Sequence, residues 1–374
     1  MATSSDLSAA QVPEHPRSGA LRVCLDAAIV ATGAPGISGY TQGLVAALRS
    51  VPDIDLTVVG PSSMAVADVT LPPEVGGVRS RFVWRERNLR RVLEEEGSDV
   101  LLVANPELPL RRTPIPSVVV VHDVFPLTAP ALTGRGQQLR FRFLLPRVCA
   151  RATRIVCVSE ASRLALHNTV GVAPSKTTVI AQGPSSFPTL PRSPDQEEPY
   201  LLYVGELFER KNLATVLAAL ANGDPRLRLL LAGPADPDSL RRLRDRCAEL
   251  GLRERVTHHG FVSEKSLAEL HAGAAALVLP SLEEGFGRPV LDAMARGVPV
   301  IASDIAALRD LTDSAAQLVR DPLDPGEWRE AIAAVLGDRA MRDALVKRGR
   351  ERAAAFSWQD IAQRYRDLLL DVSR

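Results

Sequence analysis

Nothing in this sequence approaches the roughly 18 consecutive apolar residues needed to cross a bilayer. An excess of one charge is missing too: Lys and Arg number 45 against 44 Asp and Glu. That balance argues against nucleic acid as a partner and against wholesale attraction to a membrane, so any anionic ligand must be met locally. Cysteine is scarce. Cys24, Cys149, Cys157 and Cys247 lie far apart, mostly in apolar runs, and form no CxxC pair; buried free thiols in a reducing compartment are expected rather than a disulfide framework or a zinc site. The six histidines give no HxxxH spacing. The start, MATSSDLSAAQVPEHPRSGA, has no basic segment followed by an apolar core, so it reads as a disordered tail over residues 1–20 and not as a signal peptide. A cytoplasmic protein is the expectation.

Familiar catalytic signatures are missing as well. The glycines of GAPGISGY, Gly33, Gly36 and Gly39, sit between a strand and a helix like a phosphate-cradling turn, but their spacing is not G-x-G-x-x-G and no G-K-[ST] follows. Asp53-Ile54-Asp55 imitates a metal-binding DxD, yet it precedes a strand at its amino end and reads as a turn. SEASR, Ser159 to Arg163, reads as the cap of a helix, and no Ser-His-Asp triad can be assembled. No metal site is expected.

What is present is rhythm. At 374 residues the chain exceeds one typical core and suggests two domains. LRVCLDAAIV, IDLTVVG, DVLLVAN, SVVVVHD, RIVCVSE and TTVIAQG are β-branched runs separated by segments of helical period, such as Gly39 to Arg49 and Leu139 to Arg151. A proline-rich stretch, Pro184 to Pro199, interrupts the series and reads as a linker. A second series then runs YLLYVGE, LRLLLAG, RVTHHG, AALVLP, VPVIAS and AAQLVRD. The alternation predicts an α/β fold of two doubly wound, Rossmann-like domains facing each other across a cleft, with ligands beyond the carboxyl ends of the strands. The expected boundaries are 21–190 and 191–356. The last segment, 357–374, reads as a helix with Trp358, Ile361, Ala362, Tyr365, Leu368 and Leu369 on one face, free to pack on either domain.

Four stretches are candidates for chemistry. In YVGELFERKNLATVL, Arg210 and Lys211 precede a helix opened by Asn212, where free N–H groups and the dipole favour an anion. Two cations there suit a diphosphate, although solvated surface charges would read the same way. In SLEEGFGRPVLDAMARGVPV a strand leads through Glu283, Glu284, Gly285 and Gly287 into a helix that starts at Pro289 and ends at Gly297. The carboxylates either favour a helix dipole or accept hydrogen bonds from sugar hydroxyls. VVVVHDVFPL puts His122 and Asp123 at the functional end of a strand, where a histidine is either structural or a proton and hydrogen-bond partner. Arg135, Arg140, Arg142, Arg147 and Arg151 alternate with Leu139, Phe141, Phe143, Leu144 and Leu145; this is a solvated helix face, an anionic-acceptor grip, or a peripheral membrane contact.

Taken together, these motifs resemble the retaining, nucleotide-sugar-dependent glycosyltransferases of the GT-B fold in family 4, over nearly the whole chain from Leu21. GISGYTQGL is similar to that family's glycine loop, which places Gly36, Ser38, Gly39 and Tyr40 near the acceptor. VHDVFPL resembles its His-Asp strand end, VSEASR its connecting motif, and GELFERKN its Arg-Lys diphosphate site, with Gly205 beside it. EEGFGRPVLDAMARGVPV resembles its E-x7-E signature. The resemblance implies that Arg210 and Lys211 meet the donor diphosphate, Glu284 the hydroxyls of the transferred sugar, and His122 that sugar from across the cleft. It implies further that Gly285, Phe286 and Gly287 lie along the donor, and that Phe261 and Val262 hold the base. The second acidic position, which binds the ribose diol in the family, is Asp292 and not Glu, so its carboxylate reaches ~1.5 Å less far.

The implied reaction is metal-independent transfer of a hexosyl group from a nucleoside diphosphate sugar, a co-substrate and not a cofactor, to a hydroxyl acceptor with retention. Relatives with such strands often use GDP-mannose, while UDP- and dTDP-sugars serve on the same motifs. The acceptor is a glycan, a lipid-linked sugar or a small natural product. An epimerase or hydrolase on the same fold, or a non-catalytic nucleotide-sugar-binding protein, is the alternative.

Overall fold

The structure, a computed structural model, describes residues 19–109, 111–193 and 198–374. Most of the expected tail falls outside the described residues. Seven parallel strands form the first sheet: β1 (Leu21–Asp26), β2 (Ile54–Pro61), β3 (Val69–Leu71), β4 (Val100–Val103), β5 (Ser117–Val121), β6 (Arg154–Cys157) and β7 (Thr177–Val179). Their order is β3-β2-β1-β4-β5-β6-β7. Six more build the second: β8 (Tyr200–Val204), β9 (Arg228–Ala232), β10 (Val256–His258), β11 (Ala276–Leu279), β12 (Val300–Ser303) and β13 (Gln317–Val319), in the order β10-β9-β8-β11-β12-β13. Two Rossmann-like α/β domains result, as the alternating runs predict.

Central strands such as Ser117–Val121 and Ala276–Leu279 are buried at every residue, which is why they read as unbroken apolar runs. The short edge strand Val69–Leu71 carries no such run and escapes a reading by hydrophobicity.

The strand order of each sheet reverses beside its first strand, between β1 and β4 in one and between β8 and β11 in the other. Those are the crevices where doubly wound sheets bind ligands. The loops after β4 and β5 carry Asn105 and His122; those after β8 and β11 carry Arg210, Lys211 and Glu284. All of them line one cavity of about 1340 Å³ between the domains.

The C-terminal helix, Trp358–Val372, packs on the helix Pro35–Arg49 of the first domain. Tyr365 and Tyr40 are both fully buried, and their hydroxyls meet at 2.5 Å. Trp358 lies so close to Gly43 that a Cβ there would sit 2.3 Å from its ring, and its indole N–H donates to Pro184 O at 2.8 Å. Asp53, read as a turn residue, pairs with Arg366 of this helix. The described part of the linker is also held: Arg296 donates to Ser185 O and Phe187 O at 2.9 and 2.7 Å, and its guanidinium lies over the Phe187 ring. All four cysteines are free and buried.

Candidate active site

Four short segments converge at the strand ends. After β8 the chain passes Gly205, whose φ of 152° belongs to glycine, and a single turn Glu209–Lys211 before the helix Leu213–Ala221. Asn212 takes the left-handed conformation there; its side chain donates to Pro322 O and accepts from Thr215 Oγ1, each at 2.7 Å, which fixes the direction in which Lys211 leaves the turn. After β11, Gly287 at φ 97° caps the helix Arg288–Ala295, which begins one residue before the expected start and keeps Pro289 in its first turn.

The two loops meet through charge. Lys211 Nζ donates to Glu284 Oε1 at 2.5 Å, Ser281 Oγ donates to the same oxygen at 2.7 Å, and Arg210 Nη1 stands 4.0 Å from Glu284 Oε2. Burial alone would raise the Glu284 carboxyl, but Lys211 and then Arg210 outweigh it and hold the group below its ordinary value. Arg210 reaches across the cleft, its guanidinium 4.8 Å from the ring centre of Phe125.

Gly285 sits tightly against the first domain. A Cβ placed on it would lie 2.0 Å from His122 O and 3.1 Å from Asp123 Cβ, so only glycine fits. Its carbonyl lies 2.6 Å from Ser159 Oγ, and Ser162 Oγ lies 2.9 Å from His122 O. With one proton on each hydroxyl, the network closes when Ser159 donates to Gly285 and Ser162 to His122. Ser159 also caps the helix Glu160–Val170, as expected, by accepting from Ser162 N–H. Its hydroxyl therefore joins the two domains as well.

His122 sits enclosed among these groups. Burial drives its pKa down to about 4, so the ring is neutral near pH 7. A carbonyl can only accept, so Nε2 carries the proton it donates to Ala104 O at 2.8 Å, and bare Nδ1 faces the Gln182 amide at 3.4 Å. Tyr40 packs edge-on against the ring. Burial lifts neighbouring Asp123 to about 6, against the pull of Arg210.

Asp292 lies on the cavity wall with both oxygens occupied: Ser185 N–H and Ser185 Oγ donate to them at 2.6 and 2.7 Å, and Arg296 Nη1 stands 3.4 Å away. Val262 lines the same wall, as does Phe261, which is 75 % exposed at the mouth. Phe286 is buried and packs edge-on against Phe356.

The glycine-loop expectation is corrected in form. Pro35 starts the helix four residues before the expected Gly39, so Gly36, Ser38, Gly39 and Tyr40 lie on its first turns and not in a loop. Only Gly36 of these lines the cavity; Gly39 is pressed against Arg288, and Tyr40 is buried against Tyr365. Among the described residues, no three His, Cys, Asp or Glu side chains gather as a metal cluster, and no helix is long and apolar enough to cross a membrane.

Comparison with known proteins places this geometry. Residues 36–183 match the model described as Glycosyltransferase Family 4, and residues 191–352 match that of Glycosyl transferases group 1. The O-antigen chain mannosyltransferase B of Escherichia coli is 31 % identical over 262 residues, 65 % of this chain and 67 % of that protein. The chain belongs to glycosyltransferase family 4. Similar to it as well is the O-antigen chain mannosyltransferase RfbU of Salmonella typhimurium, 27 % identical over 312 residues, 79 % of this chain and 86 % of its own. Among solved structures, the sucrose-phosphate synthase from Thermosynechococcus elongatus superposes with a TM-score of 0.77 at 22 % identity, covering 94 % of this chain and 100 % of that one. Anabaena Alr3699/HepE, solved in complex with UDP and glucose, gives 0.74 at 18 % over the same shares. Both likenesses concern the GT-B fold.

Several groups of this family 4 glycosyltransferase's cleft went unseen in the sequence. Gln182 and Ser185 come from stretches read as strand end and linker, and Arg288 lies inside the EEGFGRPVLDAMARGVPV motif, as does Arg296, which is buried against Asp292. Arg288 donates to Gly36 O at 3.1 Å, a further link between the domains.

The histidine gives a prediction on stability. A folded pKa of about 4 against an unfolded 6.5 means that neutral His122 stabilises the fold above about pH 6.5, a contribution lost as pH falls through about 4. Asp123, raised to about 6, works in the opposite sense, its contribution fading as pH rises through that value. His122→Asn keeps a donor for Ala104 without the titration. Urea unfolding at about pH 7 and about pH 4.5 should give a smaller acid loss for the variant than for the wild type.

Proposed function

We propose that this glycosyltransferase moves a hexosyl group from a nucleoside diphosphate sugar to an acceptor hydroxyl with retention at the anomeric carbon. The observation that carries the reading is the Arg210–Lys211–Glu284 cluster beside two helix N-termini. Without a donor, Lys211 is matched by Glu284 and Arg210 holds the remaining positive charge. A diphosphate draws both cations to its oxygens, and Glu284 is released to accept hydrogen bonds from the sugar's hydroxyls. As the glycosidic bond breaks, charge grows on the departing diphosphate, which Arg210, Lys211 and the amides at the start of the helix Arg288–Ala295 stabilise.

Glu284 and Asp292, the two carboxylates of the motif, are each tied into an ion pair or hydrogen-bond network and not set apart as a covalent nucleophile would be. Front-face displacement, in which the leaving phosphate takes the acceptor proton, fits this arrangement. Neutral His122, its proton committed to Ala104, serves as a fixed wall for the sugar and not as an acid. The E. coli and Salmonella relatives are named mannosyltransferases, which makes GDP-mannose the first donor to try; the Anabaena protein's UDP and glucose make UDP-glucose the second.

Asp292 is assigned to the ribose, within the limit set by Ser185. One diol hydroxyl takes the place of the Ser185 Oγ contact while the Ser185 N–H contact remains, which suits a carboxylate one methylene short of the family pattern. Asp292→Asn is expected to lose about tenfold in affinity for the ribonucleoside diphosphate and almost nothing for its 2′,3′-dideoxy analogue, read by calorimetry.

The reading as a whole is tested with a panel of GDP-, UDP- and dTDP-hexoses. At least one should raise the melting temperature and release nucleoside diphosphate only when an acceptor is added. Full turnover of donor alone to free or epimerised sugar identifies a hydrolase or epimerase, and binding without turnover a sensor.

A further inference from the structure

We propose that the first-domain half of the cleft takes an amphiphilic acceptor, a sugar joined through phosphate to a long apolar chain. This rests on the donor reading above and names the class of its second substrate.

Size comes first. At about 1340 Å³ the cavity exceeds the roughly 300–1,000 Å³ of a pocket for one small ligand. Donor contacts occupy the wall of the second domain. The rest opens between the helix Val78–Trp84 and the helix Arg135–Arg151.

That space is apolar where a glycan site would be polar. Phe82, Val83, Leu108, Phe141, Leu144 and Leu145 line it, with Val83 43 % and Leu144 39 % exposed. Exposed apolar surface of this kind, continuous with a catalytic cleft, is stabilised by an apolar ligand.

Charge supplies the second half of the argument. Arg85 pairs with Asp26 at 2.5 Å and with Glu107 at 2.6 Å; Arg81 also takes Glu107 at 3.1 Å, and Arg140 stands 3.9 Å from it. Three guanidiniums on two carboxylates leave one positive charge over. Arg79, Arg147 and Arg151 line the same space and form no ion pair with a described residue. The helix Arg135–Arg151 holds five arginines and no acid. A neutral sugar has no use for this charge, and a free sugar phosphate has none for the aromatic and aliphatic wall; an alkyl or prenyl diphosphate sugar uses both. These groups point into the cavity that reaches Arg210 and Glu284, which favours a substrate over a flat membrane surface.

The test uses the full chain and three synthetic probes: undecyl α-D-mannosyl diphosphate, α-D-mannosyl diphosphate without the chain, and undecyl α-D-mannoside without the diphosphate. Calorimetry should find the first at least about tenfold tighter than either of the others. Val83→Gln with Leu144→Gln, both partly exposed, should erase the preference for the chain while leaving the melting temperature and GDP or UDP binding unchanged. Arg147→Ala should weaken both diphosphates and spare the mannoside. Equal binding of the chain-bearing and chainless diphosphates overturns the proposal. So does capture of the wild type by phosphatidylglycerol vesicles, lost in the glutamine variant, without binding of any probe, which would make the patch a membrane contact. Binding of the amphiphile without binding of any nucleotide would leave this proposal standing and remove the donor reading instead.

Discussion

Gly285→Ala should leave the protein able to bind its nucleotide and nearly unable to transfer sugar. The added methyl has to occupy a point 2.0 Å from His122 O, and the obstacle is backbone, which no rotamer change removes. The loop bearing Glu284 must then retreat from the first domain. Retreat breaks the Ser159 contact to Gly285 O and moves Glu284 away from the wall formed by His122. A displacement of about 1 Å at a reacting centre costs on the order of 100-fold in rate, and this one is larger. We expect turnover down by about 100- to 1,000-fold, with nucleoside diphosphate affinity within about threefold, because Arg210, Lys211 and Asp292 all belong to the second domain. Steady-state kinetics with calorimetry reads both. A variant with normal turnover would mean that the contact between the loops is not part of the working site.

Removing the two cations is the second large effect. Arg210→Ala alone should cost about 100- to 1,000-fold in turnover, the scale seen when one donor to a developing oxyanion is lost. Adding Lys211→Ala should abolish transfer. That double variant needs a control, because Lys211 is the main partner of Glu284, whose side chain is only 11 % exposed, and an uncompensated buried carboxylate destabilises a fold by about 3–5 kcal/mol. Lys211→Met with Glu284→Gln removes both charges at once and should recover most of the stability. It should remain as inactive as the alanine pair. Near-normal turnover in either double variant would remove the diphosphate assignment.

How much of this was legible in the sequence follows from which interactions are local. In the second sheet AALVLP is written as an unbroken apolar run because burial on both faces demands apolar side chains throughout, while LRLLLAG, half-buried on one face, admits an arginine. Arg210, Lys211 and Glu284 were legible because each sits a fixed few residues beyond such a run. The edge strand Val69–Leu71 was not, having too few neighbours to impose a pattern. Tyr40 shows the limit of a motif: its position beside the glycines suggested an acceptor loop, while a partner 325 residues away, Tyr365, draws it into the core. Ser159 and Ser162 were read for their local role as caps, since nothing nearby in sequence indicates that Gly285 lies across the cleft. Asp292 raised a question of one methylene, and its structural context came from Ser185 in a stretch whose composition says only linker.

The central claim is hexosyl transfer with retention, and the anomeric configuration of the product tests it most directly. The donor that raises the melting temperature most is incubated with an acceptor and followed by NMR through the one-bond coupling of the anomeric carbon. The account predicts a product with the donor's own anomeric configuration, formed at the rate of donor loss, and no donor loss without acceptor. An inverted product, or complete consumption of donor in the absence of acceptor, would contradict it.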